Sequence, residues 1–446
     1  MTTMSPSDAL PRRVRIGYGL GSVATGSFGT VPGLLLLPYL TDRLGVPAVA
    51  AGLIVLVPKA WDVILNPIAG RISDSSSSPQ GRRRPFLLRA GVTLAVLFML
   101  LFAGPASPAA LGAAWVALAF LACASAYAFF QVPYVAMPAE MTLDYDERTR
   151  LMTWRVAILA LAILVSGGLS PAIRDAVGHQ HGYRAVGVFV GLLILLGTYG
   201  AWRGTAGAPA YEVEAPNAGL RDQLRLVAQA RDFRVLLVTF VLQALACGAM
   251  LAGVDYVARW VLGRPGASSI LFVCFVAPAL LVMPLWQALG ARWGKQRGYL
   301  AASLLFLLGA LFAYAVRTTS LGLLAAAVAL IGVAYAGVQL FPMAMLPDTA
   351  AADAARTGEN RVGVFTGVWT GAETLGLALG PGVYALVLAL GGYASSTSAD
   401  ATQSPQAVSA IAFGFALVPA VLVAVSLVPL ARYRLDEAVG RRGGRS

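Results

Sequence analysis

Lys59, Asp62 and Asn66 stand at i, i+3 and i+7 of one apolar stretch, so on a helix they share a face. An isolated Lys or Asp in such a setting tends to neutralise. Together, with an amide beside them, they can hold charge and respond to a proton or a small cation; the alternative is a structural ion pair. Other ionisable or ring-bearing residues sit in similarly apolar surroundings: Arg155, Asp255 with Arg259 four residues on, Trp369, Glu373, and Tyr18, Tyr39, Tyr127 and Tyr134. Asp255 and Arg259 have the spacing of a helical ion pair. The rings can stack on a ligand or simply pack. Gln131 can both donate and accept hydrogen bonds.

Metal and redox chemistry find little support. His179 and His181 bracket Gln180 with no carboxylate or Cys partner nearby, the pattern of a solvated loop. Cys123, Cys247 and Cys274 form no C-x-x-C pair and read as small apolar residues. The chain has no H-E-x-x-H, no Walker A motif, and no G-x-S-x-G with a credible triad. An enzyme is not expected, and neither ATP nor a cofactor is implied.

The elements that carry these residues are set by composition. Of 446 residues 58% are hydrophobic and only 12% charged, with a mean hydropathy of +0.73; soluble proteins carry about 25% charge. Runs long enough to cross a bilayer, about 20 apolar residues each, fall near 16–41, 47–73, 86–104, 109–140, 151–173, 185–202, 235–262, 268–291, 299–316, 320–346, 362–392 and 406–431. They are continuous rather than alternating, which excludes a β-barrel. The expected fold is an all-α membrane protein of twelve spans. In that setting an ionisable residue at a helix centre costs about 2.5–3.5 kcal/mol and is a functional candidate by default.

The net charge of +12 follows a topological rule rather than a nucleic-acid footprint. Outside the spans, only Arg43, Arg174, Arg184, Arg259, Arg264 and Arg317 of the 33 Lys and Arg fall at the odd-numbered loops and their helix ends. The remainder cluster at the termini and the even-numbered loops, the positive-inside pattern, which puts both termini in the cytoplasm. The first span, preceded by Arg12, Arg13 and Arg15, reads as retained rather than as a signal peptide. Arg outnumbers Lys so heavily that a GC-rich bacterial genome is expected, hence a bacterial inner membrane.

The chain divides at its middle. Residues 1–202 form a first six-helix bundle, 203–233 a cytoplasmic connection, 234–431 a second bundle, and 432–446 a basic tail. Within the connection Leu220, Leu224 and Val227 lie at i, i+4 and i+7, with Arg221 and Arg225 on other faces, as in a helix lying on the membrane surface. The halves repeat at an offset of about 210 residues. Gly70-Arg71-Ile72-Ser73-Asp74 and Gly81-Arg82-Arg83-Arg84-Pro85 follow the second span; Gly290-Ala291-Arg292 and Gly294-Lys295-Gln296-Arg297 follow the eighth. Glu140, Asp144, Glu147 and Arg148 follow the fourth span as Asp348, Asp353, Glu359 and Arg361 follow the tenth. Parallel six-helix halves are the architecture of the major facilitator fold. The basic loop residues Arg82, Arg83 and Arg84 can pair with Asp74 or Glu140, and Arg148, Asp348 and Arg361 occupy the matching acidic-basic loops. Such pairs suit a gate that makes and breaks, and equally they set topology.

Trp61-Asp62-Val63-Ile64-Leu65-Asn66-Pro67-Ile68-Ala69-Gly70 with Gly81-Arg82-Arg83-Arg84-Pro85-Phe86 resembles the signature of the glycoside–pentoside–hexuronide:cation symporter family. Tyr18-Gly19-Leu20-Gly21 with Tyr39-Leu40-Thr41-Asp42, Val132-Pro133-Tyr134, Asp144 through Glu147-Arg148-Thr149, and Gly363-Val364-Phe365-Thr366-Gly367-Val368-Trp369 fit it as well. The resemblance covers both halves. It implies a secondary transporter with a cation site on the second helix. There the family uses carboxylates at the positions of Asp62 and Asn66 and a polar residue at that of Leu65; Ala128 matches a hydroxyl contributor. This chain keeps only Asp62, which favours H⁺ over Na⁺ as the coupling ion. The family's sugar-gripping positions match Gly26, Gln131 and Val135, and its important fifth-helix Arg lies near Arg155. Tyr134, Trp369 and Asp255 complete the expected substrate wall, and Glu373 lies one residue before a position where relatives carry a Lys. The expected function is proton-coupled symport of a sugar or glycoside by a monomer in a lipid bilayer. The alternative is a carrier, even an exporter, of lipid-like or amphipathic molecules.

Overall fold

The structure is a computed structural model that describes residues 10–76, 78, 81–142, 144–178, 181–209, 211, 230–357, 362–398 and 401–433. Inside hydrocarbon no water meets backbone N–H and C=O groups, so a spanning segment must satisfy them itself. The chain does so with helices, and no strand occurs among the described residues. In the first half these are α1 (Arg12–Pro38), α2 (Ala48–Asp74), α3 (Arg84–Leu101), α4 (Ala109–Met141), α5 (Tyr145–Val177) and α6 (Gly182–Gly204). The second half has α7 (Arg231–Tyr256), α8 (Ala267–Leu281), α9 (Met283–Trp293), α10 (Lys295–Val316), α11 (Leu321–Thr357), α12 (Val362–Leu390), α13 (Pro405–Ala412) and α14 (Val418–Ala431). Wider π-helical turns extend α1 over Tyr39–Arg43, extend α7 over Val257–Val261, and join α13 to α14 over Phe413–Leu417.

Among the described residues eleven helical stretches are long and apolar enough to cross a membrane, and the pair α8–α9 supplies a twelfth. That eighth span, expected as one continuous run, is bent by 50° at Val282. Two prolines explain the break: Pro278 and Pro284 lack the N–H groups owed to the carbonyls four residues earlier, and their rings crowd those carbonyls. The tenth span runs further than its hydropathy suggests, to Thr357, because α11 stays helical as it leaves the apolar stretch at Leu346.

Contacts divide the chain into two compact units, Met1–Pro216 with Ser395–Ala401, and Asn217–Ala394 with Thr402–Ser446. The short piece from the second half joins the first unit through the Ser396 N–H, which donates to the Thr41 carbonyl at 3.1 Å. The expected surface helix around Leu220, Leu224 and Val227, His179, and the tail from Arg434 onward lie outside the described residues.

Each unit packs its helices in the same pairs. In the first, α1 lies against α5 and α6, α3 against α4 and α6, and α2 against α4. In the second, α7 lies against α12 and α14, α10 against α11 and α14, and α8 against α11. The 210-residue sequence repeat is therefore a repeat of packing. The hub helices are the most enclosed: 78% of the apolar window of the first span is buried and 61% of that of the seventh. Small residues permit this. A Cβ on Gly17 would sit 2.5 Å from the Gly204 Cα, and one on Gly204 would sit 2.4 Å from the Gly17 Cα, so the backbones of α1 and α6 touch.

Gly204→Val should therefore lower the unfolding stability of the detergent-purified protein by about 1–3 kcal/mol through overpacking. Gly29→Ala serves as the control, since its Cβ would meet nothing within 4 Å. Equal melting of both variants in a thermal unfolding assay would contradict the close approach.

Candidate functional site

A seam of polar side chains runs through the first unit. It begins on α2, where helical periodicity puts Lys59 and Asp62 one turn apart. Asp62 is 4% exposed, and its Oδ1 is buried and accepts no hydrogen bond. The Lys59 ammonium lies 5.4 Å from the centre of the Phe28 ring on α1, a cation–π contact. Lys59 and Asp62 act on each other electrostatically, and Asp62 also acts on Tyr127 of α4. Tyr127 packs on Phe28, with ring centres 4.5 Å apart. Asn66, the third member of the expected cluster, is exposed. Trp61, one residue before Asp62, ties α2 to α4 by donating from Nε1 to Ser125 Oγ at 3.1 Å.

The seam continues along α4, where Tyr127, Gln131 and Tyr134 recur at four and three residues and so form one stripe. Tyr134 is fully buried and donates its hydroxyl to the Tyr18 carbonyl at 2.8 Å. Ser22 Oγ lies 3.0 Å from the same hydroxyl. The Tyr18 and Tyr134 rings stack at 4.8 Å, and the Arg155 guanidinium of α5 lies 5.7 Å from the Tyr134 ring centre. Three buried polar atoms on this stretch make no hydrogen bond to the protein: the Tyr18 hydroxyl, Gln131 Oε1 and Arg155 Nε. They offer two donors and an acceptor from three helices. Phe28, Ser22 and Trp61's partner Ser125 are contributors that sequence reasoning missed. Each is an ordinary apolar or hydroxyl residue whose role arises from contact across helices.

Other expected site residues stand elsewhere. Gly26 belongs to the α1–α5 seam: a Cβ there would meet Ala162 Cβ at 3.1 Å and Leu159 Cδ1 at 3.2 Å, so the position packs instead of lining a binding wall. Trp369 is 1% exposed in the core of the second unit, stacked on Phe240 at 4.5 Å. Asp255 is fully buried and accepts from Ser268 Oγ at 2.7 Å; Arg259 Nη2 lies 3.9 Å from its other oxygen. Through Ser268 it braces α7 against α8. Glu373 of α12 is half-buried, hydrogen-bonds the Gln339 side chain of α11, and acts electrostatically on Tyr335.

The loop ends of the units carry the expected charge clusters. Arg83 is 8% exposed and reaches three partners at once: Glu140 of α4 at 2.8 Å from Nε, Ser73 Oγ at 2.6 Å from Nη1, and Asp74 of α2 from Nη2. A planar fork of donors makes this possible; an ammonium could not match it. Asp144 caps α5 by accepting the Glu147 N–H at 2.6 Å. Glu147 stands where a capping box would turn back to the cap, but its fully buried carboxylate instead takes a bidentate pair from Arg15 of α1, one bond being 2.9 Å. Arg148, expected in the gate, donates to the Thr142 carbonyl at 3.0 Å and so braces its own turn. Arg84 donates to the Trp202 carbonyl at 2.9 Å and lies over the Trp202 ring. Arg82 is half-buried in the loop between α2 and α3. In the second unit Lys295 pairs with Asp348 at 2.5 Å, both near half exposed. Just past α14, burial pushes the Tyr433 hydroxyl up to about 12, opposed by its hydrogen bond with Thr349. Arg361 lies outside the described residues.

Twelve spans in two units with one packing pattern, with ionisable groups buried in them, define a membrane transporter of the major facilitator fold. The chain belongs to the MFS/sugar transport protein family, which matches residues 17–437. It is 25% identical over 434 residues to YagG of Escherichia coli, provisionally named a glycoside/cation symporter, covering 96% of this chain and 93% of that one. It is 27% identical over 381 residues to an Escherichia coli protein provisionally named a 2,3-dihydroxypropane-1-sulfonate exporter, covering 82% and 81%. Among solved structures, a bacterial homologue of the human lysosomal transporter Spinster superimposes with a TM-score of 0.66 at 13% identity, over 94% of this chain and 95% of that one. That likeness speaks for the fold alone.

The Arg83 clasp can be tested by a double-mutant cycle. Arg83→Ala and Glu140→Ala, singly and together, should show a coupling of about 1–3 kcal/mol in unfolding stability. Additive effects would mean that the two side chains do not depend on each other.

Proposed function

We propose that this protein is a proton-coupled symporter of a sugar or glycoside, working as a monomer by alternating access of its two six-helix halves. It would reside in a bacterial inner membrane with both termini in the cytoplasm, as the arginine distribution favours. Asp62 carries this reading: it is a carboxylate buried in a membrane span, with an unpartnered oxygen and a lysine one turn away. Protonated, it is neutral and donates; deprotonated, it is offset by Lys59. That is what a proton carrier needs in a low-dielectric setting. A sodium ion wants several oxygen ligands, and the neighbouring positions offer Leu65 and an exposed Asn66.

The substrate class is supported by the family and by the polar atoms without protein partners. The Tyr18 hydroxyl, Gln131 Oε1 and Arg155 Nε suit a ligand with several hydroxyls, each able to donate and accept. Transport in the outward direction is a second reading. It is favoured by the relative provisionally named a sulfonate exporter and by Arg155, which can bind an anion bidentately.

Purified protein in liposomes should accumulate a labelled glycoside when the interior is made alkaline, without sodium. Asp62→Asn should abolish accumulation and spare downhill exchange of the same glycoside. Unimpaired accumulation by the variant would end the coupling role of Asp62. Failure of the wild type with a broad panel of sugars and glycosides, alongside efflux of an organic sulfonate or carboxylate, would favour the outward reading.

A further inference from the structure

The second unit has a basic, apolar-walled groove that plays no part in the seam described above. Arg231, Arg234, Val235 and Val238 of α7 line it together with Pro429 of α14 and Arg432 just beyond, enclosing about 300 Å³. On α7 these residues stand at i, i+3, i+4 and i+7, a single face. On α14 the spacing from Val421 to Val425, Val428 and Arg432 is four, three and four, again a single face. The valines are open: Val238 is 51% exposed, Val421 58%, Val425 50% and Val428 54%. The α7 face and the end of α14 at Pro429 and Arg432 line the same groove, and α7 and α14 pack against each other along their length.

The three arginines are exposed. Among the described residues their guanidinium groups have no hydrogen-bond or ion-pair partner. Asp232, the acid adjacent on α7, acts electrostatically on Tyr433. Three unopposed positive charges thus stand at one end of an apolar track that runs along two membrane-spanning helices. A soluble anion would use the charges and leave the valine track bare. A zwitterionic lipid would use the track and bring its own cation against the arginines. An anionic phospholipid complements both.

We propose that this groove is a binding site for an anionic phospholipid of the surrounding membrane. Arg231, Arg234 and Arg432 hold its phosphate, and Val238 with the Val421–Val425–Val428 stripe carries an acyl chain. Guanidinium forks match phosphate oxygens bidentately, and basic pockets between spanning helices suit such headgroups. Three cations favour a headgroup with two phosphates, such as cardiolipin, over one with a single phosphate.

Native mass spectrometry of the full-length protein in detergent would test the site, with cardiolipin, phosphatidylglycerol and phosphatidylcholine of matched chains added in turn. The wild type should bind the anionic lipids well above phosphatidylcholine, with cardiolipin strongest. Each Arg→Gln substitution at 231, 234 or 432 should weaken cardiolipin binding about fivefold. The triple Arg→Gln variant should lose the preference, and the triple Arg→Lys variant should keep most of it. Equal binding of phosphatidylcholine and cardiolipin by the wild type would overturn the proposal without recourse to any variant. So would an undiminished preference in the triple Arg→Gln protein, or displacement of the lipid by millimolar glycerol phosphate, which would mark a site for a soluble anion.

Discussion

Hydrocarbon offers no hydrogen bonds and little solvation, and the whole molecule answers to that. The backbone is helical wherever it spans, because only intrahelical bonds satisfy it there. In the eighth span, where Pro278 and Pro284 stand six residues apart, the helix bends instead of running through. With lipid as apolar as leucine, helices gain by close approach, which is why α1 and α6 meet at Gly17 and Gly204. The same constraint makes each charge inside a span expensive, so those present are few and contacted: Lys59 by an aromatic face, Asp255 by Ser268 and Arg259, Glu373 by an amide.

Two kinds of polar arrangement coexist in the first unit. At its loop end Arg83, Ser73, Asp74 and Glu140 form a closed set, as do Arg15 and Glu147. Along the middle of the helices, Asp62, Tyr18, Gln131 and Arg155 each keep a buried atom without a protein partner. Satisfied sets hold helix ends in register; unsatisfied atoms in a low-dielectric interior are costly to keep. Tyr18, Gln131 and Arg155 gather around Tyr134, and Asp62 lies one turn from Lys59; that grouping of polar atoms and charge sets the candidate site apart.

Much of the fold was legible in the sequence because hydropathy is a local property: an apolar run of twenty residues states its own length. The repeat was legible too, since paired loops such as Asp74–Arg83 and Asp348–Lys295 retain their chemistry. Orientation of individual side chains was not. Gly26 and Trp369 were read by position in a family pattern, yet position along a helix does not say which neighbour the face meets. The answer depends on Leu159 and Ala162 in one case and on Phe240 in the other. Likewise Glu147 and Arg148 were read together as one acidic-basic loop, with Arg148 in the gate. Glu147 meets Arg15, more than a hundred residues away in sequence, and Arg148 turns to the Thr142 carbonyl of its own turn.

The loop ends of the two halves are fastened by the same device at different depths. Arg83 is enclosed and trebly held, whereas Lys295 and Asp348 meet in the open. Dissolved ions weaken exposed ion pairs as salt rises and reach enclosed ones far less. The repeated scaffold is therefore chemically lopsided. Added salt slackens the latch of the second half while leaving that of the first in place, so the ionic composition of the surrounding medium acts on the two halves unequally.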